Sequence, residues 1–465
     1  MTRAYTKELV EFLAALDAPP EVFGRARYFL LDYLGVAIRG SLAESSAPIY
    51  KMIERIGAAG NSTVIGAGVR TSAGYAALAN GGAAHAIELD DTHNAGSIHL
   101  GVVMFSTALA LAEAIPDMAP EQFLIAVIAG YETAARIAMA VQPKEHYLLG
   151  FHPTATCGVF GAAVTASKLL GLTAEQMLSA VGIAGSMAAG SLEFLKEGSW
   201  TKRLHPGLAA QNGIQAAMLA ADGFRGPSTI LEGRDGFLSG YSRKPIPERI
   251  TDGLGESFEI MRTSIKPHAC CRYMQGPIDA ILALVNEHGI KPDQVVNVEV
   301  AVLEAGWTLV AEPRAQKYKP QSIVDAQFSM PFGAAIAVLH RRAGLDEFTA
   351  ENAQSNQVRR MMGKVTLLKD IRLDRNFPKE WNARVTIFLH DGRQYEKFVR
   401  HPKGDPENPL SWEELVAKFT SLASAVIPLD RCEQIVDHVS RGNPALLPAM
   451  CSTRVSEPRP SGSGF

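Results

Sequence analysis

The sequence predicts a mainly α-helical protein in which a large, discontinuous all-α domain carries a smaller α+β domain. Helical periodicity runs from the start of the chain to about residue 264, and strand-like alternation begins only after residue 266. Hydrophobic residues make up 47% of the 465 residues and charged residues 20%, as in a well-packed globular protein. A chain of this length exceeds one ordinary core, so two domains are expected.

The first part of the all-α domain is predicted over residues 1–265. Glycine is abundant, with 41 residues, and aromatic residues are sparse at 7%, which favours closely packed helices. After the stop signal of Gly171, Thr173 predicts a new helix start with Glu175 and Gln176 in its first turn. No convincing strand is expected in this part. Further helices are predicted at residues 21–39, 105–114, 121–140, 158–170 and 206–221.

The α+β domain is predicted over residues 266–400. Two strands flank residues 390–393, HDGR, and predict a hairpin because Asp391-Gly392 tolerates the positive φ of a type I′ turn. Strands are predicted at residues 294–303, 364–369, 384–389 and 394–400, and helices at residues 277–287 and 325–342.

The chain is predicted to return to the all-α domain over residues 401–448. Residues 401–409 are rich in turn formers, and Ser411 then caps a helix that has Glu413 and Glu414 in its first turn. Helical periodicity continues to about residue 439. Residues 449–465 are expected to be a C-terminal tail without fixed structure.

Composition and charge exclude several classes of function. The net charge is −3 and no long basic run occurs, so nucleic acid is not expected as a partner. Segments such as residues 102–115 are apolar but too short and too interrupted to span a bilayer, and the N-terminal amphipathic helix lacks the apolar core of a signal peptide, so no membrane is expected as a partner. Five cysteines without framework spacing indicate reduced thiols and a cytoplasmic location.

Residues 81–100, GGAAHAIELDDTHNAGSIHL, gather acids and imidazoles among small side chains. Such groups are costly to bury and add little to a core, so they indicate a site that binds an ion or moves a proton. The alternative is a buried loop whose polar groups satisfy one another. The set comprises His85, Glu88, Asp90, Asp91, Thr92, His93 and His99.

Two further segments place functional groups just before predicted helices. Residues 150–156 carry His152 ahead of a helix N-terminus, whose free N–H groups would face an anion. Residues 200–206 carry Lys202 and Arg203, and cations oppose the helix dipole there unless they face an anionic ligand. A lysine in a dry site can also act as a base through a lowered pKa. The alternatives are a helix cap with an incidental histidine and two solvated surface cations.

Residues 266–273, KPHACCRY, lie where the two predicted domains meet, and pockets form at such junctions. A thiolate beside Lys266 and Arg272 would be favoured, which makes Cys271 a candidate base; the alternative is a structural hinge with buried cysteines. No CxxC, HExxH, GxSxG or nucleotide-binding glycine motif occurs, so neither a metal site nor a nucleotide cofactor is indicated. The four segments together fit cofactor-independent removal of a proton from a carbon next to a carboxylate.

Several motifs in order along the chain are similar to those of the MmgE/PrpD family. The resemblance implies a discontinuous all-α domain, a smaller α+β domain, a homodimer, an active site between the domains, and neither a metal nor an organic cofactor. No single motif is specific, but together they run over nearly the whole chain. The matching stretches are residues 88–92 with His99, 150–154 with 169–172, 202–207 with 222–227, 266–267, 325–329, and 402–406 with 408–409.

The resemblance also carries over pocket residues. It places Thr92, His99, His152 and Lys202 in the pocket of the family's lyases, and Glu88 stands where decarboxylase-type members have an aspartate. The predicted reacting groups are therefore imidazoles and an ammonium group. The residues expected to bind the substrate are Glu88, Asp91, Thr92, Arg203, Lys266, Arg272 and Phe332.

Two departures from the lyase pattern favour an epimerase of the iminodisuccinate epimerase type. Cys271 stands where the lyases place a catalytic histidine, unless His268 serves instead, and Phe332 replaces their pocket tyrosine. Removing a proton on one face and returning it on the other needs neither group. In this hypothesis Lys202 and His152 face one side of a small di- or tricarboxylate, and Cys271 or His268 faces the other.

Three alternatives remain open from the sequence. A lyase like 2-methylcitrate dehydratase, either a hydro-lyase or a decarboxylase, would use His99 or His152 as the proton donor. A metal-dependent hydratase would require a bound ion. A non-catalytic helical binding protein would have no reason to gather His99, His152 and Lys202 around one cavity, because they are far apart in the sequence.

Overall fold

Helices make up most of the chain in the computed structural model, which describes residues 3–115, 118–377, 379–441 and 447–451. The helices before residue 263 are α1 (Tyr5–Ala14), α2 (Pro20–Gly40), α3 (Ser46–Ile56), α4 (Ala73–Ala84), α5 (Gly101–Ala112), α6 (Pro120–Val141), α7 (Pro143–Leu148), α8 (Pro153–Thr156), α9 (Gly158–Leu169), α10 (Ala174–Gly185), α11 (Thr201–Ala221) and α12 (Phe237–Tyr241). Those after it are α13 (Gln275–Glu287), α14 (Glu304–Val310), α15 (Arg314–Lys317), α16 (Ile323–Gln327), α17 (Met330–His340), α18 (Ala350–Gln354), α19 (Asn356–Met362), α20 (Trp412–Ala423), α21 (Leu429–Arg441) and α22 (Leu447–Met450). Together with the strands below, they confirm the predicted mainly α fold with a smaller α+β part.

Small residues let the central helices of the first part touch along their backbones. A Cβ atom on Gly81 of α4 would lie 2.7 Å from the Cα of Gly207 in α11. A Cβ atom on Gly161 of α9 would lie 2.7 Å from the carbonyl oxygen of Gly130 in α6. Larger side chains would hold these helix axes apart, so α4, α11, α9 and α6 pack in succession into one close-set core.

Helix α6 is long and apolar enough to cross a membrane by length and composition alone, but 89% of its apolar window is buried inside the protein. Its two buried charges form an ion pair, in which Arg136 Nε donates to Glu132 Oε2 over 2.9 Å. Arg136 also donates from Nη1 to the carbonyl oxygen of Asp252 over 2.6 Å. Burial of the apolar surface and neutralisation of the charges by protein partners are typical of a core helix.

Two pairs of very short antiparallel strands occur in the first part, where the sequence analysis expects none, and that expectation is wrong. Strand β1 (Ser62–Val64) pairs with β2 (Val69–Thr71), and β3 (Thr92–His93) pairs with β4 (Thr263–Ser264). Strands of two or three residues are too short to show an alternation of polar and apolar side chains. Tertiary contacts rather than a local pattern therefore define them.

The later part of the chain contains a four-stranded sheet in the order β6-β5-β7-β8. The strands are β5 (Val295–Val302), β6 (Val365–Lys369), β7 (Ala383–Leu389) and β8 (Gln394–Val399). Strand β5 pairs parallel with β6 and antiparallel with β7, and β7 pairs antiparallel with β8. The four strand predictions are confirmed to within one residue at each end.

The turn between β7 and β8 differs from the predicted type I′ turn. Gly392 has a φ of +84°, but Asp391 is not among the residues with positive φ. The N–H of Gly392 donates to the carbonyl oxygen of Leu389 over 3.1 Å, and that of Leu389 donates to Arg393 over 2.9 Å. This is a three-residue loop, in which a type I turn is followed by a glycine in the left-handed region.

Two of the errors in the predicted helix boundaries involve proline. Residues 325–342 contain the end of α16 and all of α17, because Ser329 caps α17 by accepting a hydrogen bond from the N–H of Phe332 over 3.1 Å, with Pro331 in the first turn. Helix α11 begins at Thr201, so it contains Pro206 and starts before the predicted residue 206. Lys202 consequently lies within the first turn of α11 and not ahead of it.

Helices α20 and α21 follow the sheet in sequence but pack against α2 of the first part. A Cβ atom on Gly35 would lie 3.3 Å from the Cα of Phe419, and Lys418 Nζ lies 2.5 Å from Asp32 Oδ1. Helix α20 begins with the predicted cap, a reciprocal pair formed by Ser411 and Glu414. Of the predicted tail 449–465, residues 452–465 lie outside the described residues.

Replacing Phe419 by alanine tests how strongly α20 is tied to the helical core. Phe419 is 1% exposed, so we expect Phe419→Ala to lower the free energy of unfolding by about 3–5 kcal/mol. Urea unfolding measures this change. The control is Ser421→Ala on the exposed face of the same helix, which should change the free energy by less than about 0.5 kcal/mol. Equal effects of the two substitutions would contradict the packing described here.

Candidate active site

The loop of residues 85–100 connects α4 to α5 and is held from two sides. Because α4 crosses α11 at the contact between Gly81 and Gly207, the start of the loop lies over the first turn of α11. Strand β3 within the loop pairs with β4, with Thr92 opposite Ser264. That pairing brings the loop beside Lys266, two residues further along. Three segments that are distant in sequence therefore meet at one place.

Two carboxylates and two ammonium groups form a buried charge cluster at this meeting point, which we define as Glu88, Asp90, Lys202 and Lys266. Lys202 Nζ donates to Glu88 Oε1. Lys266 Nζ lies 3.8 Å from Glu88 Oε2 and 3.5 Å from Asp90 Oδ1. Glu88 has a φ of +57°, which residues other than glycine rarely adopt. Such strain persists where the surroundings over-determine it, often at functional sites.

The members of the charge cluster keep one another ionised. Burial opposes the ionisation of Glu88, but Lys202 and Lys266 lower the pKa of its carboxyl to about 2. Burial likewise opposes the ionisation of Asp90, but two neighbouring histidine side chains and Lys266 hold its pKa well below the usual range. Burial would lower the pKa of Lys266, yet Asp90 and Glu88 raise it above its ordinary value. Two negative and two positive charges therefore balance.

Three imidazoles lie directly beside the charge cluster. The ring centroids of His85 and His99 are 4.9 Å apart. The ring centroid of His152 lies 5.9 Å from that of His85 and 6.4 Å from that of His99. Asp90 Oδ2 is 2.8 Å from His85 Nδ1 and 3.1 Å from His99 Nδ1. His99 Nδ1 also donates to the carbonyl oxygen of Asp91 over 2.7 Å. Since these oxygens only accept, both Nδ1 atoms carry protons, and Nε2 of a neutral ring carries a lone pair.

Burial keeps His85 and His152 neutral at pH 7. It lowers the pKa of His85 to about 4 and that of His152 well below its ordinary value. His152 Nδ1 is 3.0 Å from Nδ1 of His205, whose pKa burial also lowers to about 4. Two neutral imidazoles share one proton in that hydrogen bond, so one ring donates from Nδ1 and the other accepts, and the bond orients both rings.

A cavity of about 420 Å³ is lined in part by His205. This volume falls within the range of small-molecule pockets. His205 therefore connects His152 to a space of ligand size. Lining residues include Glu193, Phe194, Thr201, His205, Leu208 and Asn212.

Buried polar atoms without a hydrogen bond concentrate at this site. Of the ten such side-chain atoms in the described part of the chain, four are here: His85 Nε2, Asp90 Oδ1, Lys266 Nζ and Gln327 Oε1. Gln327 is adjacent because its Nε2 donates to the carbonyl oxygen of Ile87 over 3.1 Å. Lys266 Nζ and Asp90 Oδ1 face each other at 3.5 Å as an ion pair. Buried polar groups normally have partners, so His85 Nε2 and Gln327 Oε1 remain as acceptors for a bound molecule.

Asp91 and Thr92, two expected substrate-binding residues, contact the protein itself. Asp91 accepts hydrogen bonds from the N–H of Gly101 over 2.9 Å and from Tyr131 Oη over 2.7 Å, which positions the start of α5. Burial raises the pKa of Asp91 to about 7. Thr92 Oγ1 lies 3.2 Å from His99 Nδ1 and helps to orient that ring.

The two arginines expected to bind carboxylates reach neighbours outside the charge cluster. Arg203 Nη1 donates to Ser45 Oγ over 3.1 Å. Arg272 donates from Nε to Asn94 Oδ1 over 2.9 Å and from Nη2 to Asp405. Arg272 therefore connects the loop of residues 85–100 to the segment that leads into α20.

Cys271 is buried, and burial raises the pKa of its thiol. The expected thiolate is therefore wrong, because loss of hydration outweighs the attraction of the nearby lysines. His268 Nε2 is paired with Asp279 Oδ1 at 2.8 Å. Phe332 is fully buried, with its ring centroid 5.5 Å from that of Phe348.

No individual role is predicted from the sequence for His85, Asp90 or His205. His85 and Asp90 belong to the same motif as Glu88, but linear spacing does not show which acid of the motif faces a lysine and which faces a helix end. His205 follows Lys202 by three residues and shares its helix face, which a helix start at residue 201 would have indicated. The structure does bring His99, His152 and Lys202 together.

We expect Asp91→Asn to remove part of the pH dependence of stability. A carboxyl with a folded-state pKa of about 7, against an ordinary 3.8, costs stability progressively as pH rises between those values. The free energy of unfolding of the variant minus that of the wild type should therefore increase over this range, by roughly 2–4 kcal/mol, and then level off. Urea unfolding across the range measures the difference; Glu132 titrates in both proteins and cancels. A difference independent of pH would contradict the raised pKa.

The five cysteines should resist alkylation in the folded protein. All five are free and buried, and only the thiolate is reactive. Mass spectrometry after iodoacetamide treatment is expected to show alkylation only when denaturant is present. Rapid, stoichiometric modification of Cys271 in the folded protein would show that its thiol is exposed and ionised.

Comparison with known proteins identifies the family. Residues 7–249 match the MmgE/PrpD N-terminal domain and residues 268–441 match the MmgE/PrpD C-terminal domain. A cis-aconitate decarboxylase-like protein of Aspergillus oryzae is 30% identical over 462 residues, covering 93% of each chain. The cis-aconitate decarboxylase of Aspergillus terreus is 28% identical over 450 residues, or 92% of this chain and 90% of the relative. That of Homo sapiens is 27% identical over 428 residues, or 89% and 86%. This chain belongs to the MmgE/PrpD family.

Proposed function

We propose that this protein is a lyase that acts on a small polycarboxylate and moves a proton at the carbon beside a carboxylate. The observation that carries the proposal is the position of His99 and His152 beside the buried Lys202 and Lys266. Imidazoles transfer protons near neutral pH, and fixed cations stabilise the charge that develops on an enolate-like intermediate. A non-catalytic scaffold gains nothing from burying such groups together.

The names of the relatives support an unsaturated tricarboxylate as the substrate class. Three of the similar proteins are cis-aconitate decarboxylases or like them, and cis-aconitate is an unsaturated tricarboxylate. Because the charge cluster is balanced, a trianion would bring uncompensated negative charge into the site. That charge raises the pKa of nearby imidazoles, so substrate binding is expected to load one of them with a proton from solvent.

Decarboxylation can then proceed with the groups present. The bond between a carbon and one carboxylate breaks, CO2 leaves, and the electron pair stays on the substrate in conjugation with another carboxylate. Lys202 and Lys266 stabilise this charge. An imidazolium at His99 or His152 then donates its proton to carbon, so one proton is consumed for each CO2 released.

The surrounding groups orient the two proton donors. Asp90 and the carbonyl oxygen of Asp91 hold His99 through Nδ1, and His205 holds His152 through Nδ1. Nε2 of each ring remains for proton transfer to substrate. Such fixed orientation stabilises the transition state more in a buried site than in water, because the groups need not reorganise during the reaction.

An epimerase of the iminodisuccinate epimerase type is the second candidate, and the departures at Cys271 and Phe332 favour it. Epimerisation needs an acid on one face of the substrate and a base on the other, but no proton for a leaving group. The raised pKa of the Cys271 thiol suits a proton donor. The neutral His152 would then remove the proton from the opposite face.

Proton NMR of the purified protein in D2O separates the two candidates. With cis-aconitate, a decarboxylase should release CO2 and form a product that carries one deuterium from solvent. With iminodisuccinate, an epimerase should replace the proton next to the carboxylate by deuterium without elimination. If iminodisuccinate exchanges its proton for deuterium and cis-aconitate does not react, the lyase proposal is overturned in favour of the epimerase.

Replacing His99 by glutamine tests its role as a proton donor. We expect His99→Gln to lower kcat by about 10²–10⁴-fold, because the amide cannot carry the proton, and to change KM much less. Steady-state assays of CO2 release measure both constants. His288→Gln, at an exposed histidine far along the chain, is the matched control and should leave kcat unchanged. A His99→Gln enzyme with wild-type kcat would exclude His99 as the donor.

A further inference from the structure

The three imidazoles beside the charge cluster converge in a way that proton transfer alone does not require. One ring nitrogen from each of His85, His99 and His152 lies within 4.8 Å of those of the other two. Nδ1 of each ring is already bonded, to Asp90, to a backbone carbonyl or to His205. Within the described residues, Nε2 of these rings has no hydrogen-bond partner, and Nε2 of His85 is fully buried.

We propose that His85, His99 and His152 form a binding site for one divalent transition-metal ion of the zinc class. Three imidazole ligands with an open fourth position are a recurring zinc arrangement. A set of nitrogen ligands selects such ions over Mg²⁺ and Ca²⁺, which prefer oxygen. Zinc–nitrogen bonds of about 2.0–2.1 Å place ligand nitrogens about 3.4 Å apart. One nitrogen of each ring already lies within 4.8 Å of one nitrogen of each other ring, so the rings need to shift and turn only slightly to bind one ion.

The groups behind the three rings match what metal-bound histidines normally require. Asp90 bonds Nδ1 of His85 at 2.8 Å and lies 3.1 Å from Nδ1 of His99, while His205 bonds Nδ1 of His152. A carboxylate or other partner on the far nitrogen fixes the tautomer and makes the ligating nitrogen more basic. His85 and His99 are thus held with Nε2 available, and His152 offers Nε2 when its Nδ1 donates to His205.

Charge does not prevent the ion from binding. The ammonium groups of Lys202 and Lys266 are offset by Glu88 and Asp90. The His99 side chain is 13% exposed, which gives the ion a path from solvent.

If the protein has the proposed function, binding of the ion is expected to inhibit it. A metal at this site takes the lone pairs of His99 and His152, and these rings can then no longer carry a proton. Zinc-class ions should therefore inhibit the enzyme, and a chelator such as EDTA should restore its activity. Metal binding itself is tested without reference to turnover.

Metal titration of the full-length, chelator-treated protein tests the site directly. We expect saturable binding of one Co²⁺ per chain, with the visible absorption of a four-coordinate ion, and its displacement by Zn²⁺. Calorimetry should show that His85→Gln weakens Zn²⁺ binding at least tenfold and that Asp90→Asn weakens it by about 10–100-fold. The matched control His288→Gln should bind Zn²⁺ as the wild type does.

Absence of saturable binding would overturn the inference, as would equal Zn²⁺ affinities of wild type, His85→Gln and Asp90→Asn. Circular dichroism checks that each variant folds. If His85→Gln does not fold, the Zn²⁺ affinity of Asp90→Asn tests the inference, because this substitution keeps the shape of the side chain. Activity of the metal-free enzyme separates the two proposals. A protein that binds Zn²⁺ but is inactive without metal refutes the proposed function alone, and an active enzyme without a Zn²⁺ site refutes this inference alone.

Discussion

The contact between Gly81 of α4 and Gly207 of α11 is the constraint on which the rest of the site depends. Two backbones can approach this closely only where neither residue has a side chain at the crossing point. The crossing places the loop that follows α4 over the first turn of α11. Glu88 and Lys202 meet as a result, although 114 positions separate them. A larger residue at either glycine would move both groups together, because each lies within two turns of the crossing.

Once these segments meet, electrostatics decides what the site can do. Burial opposes the charged forms of Glu88, Asp90 and Lys266, but the opposite charges around them keep all three charged. The imidazoles experience the same burial with less compensation, so His85 and His152 stay neutral. One buried site therefore holds two ammonium groups, each paired with a carboxylate, next to rings that can accept a proton. The same neutral rings are also suitable ligands for a metal ion.

Much of the fold and the location of the site were predictable from local patterns. The strands of the four-stranded sheet, the cap at Ser411 and the long helices follow from periodicity and turn chemistry, which act over a few residues. The errors occurred where distant residues decide the outcome. The two-residue strand β3 exists because it pairs with β4, about 170 positions later. The start of α11 at Thr201 tolerates Pro206 because tertiary packing outweighs the loss of one backbone hydrogen bond.

The sequence by itself determined which residue types could do chemistry here, and in which four segments they lie, because acids, imidazoles and lysines among small apolar residues have few structural reasons to be there. Tertiary structure alone decided their roles. Asp90 faces two imidazoles and a lysine, whereas Asp91, one residue later, faces the start of α5. Cys271 remains a thiol because it is buried. Charge state and direction depend on which groups surround a side chain in space, and neighbours in space are not neighbours in sequence.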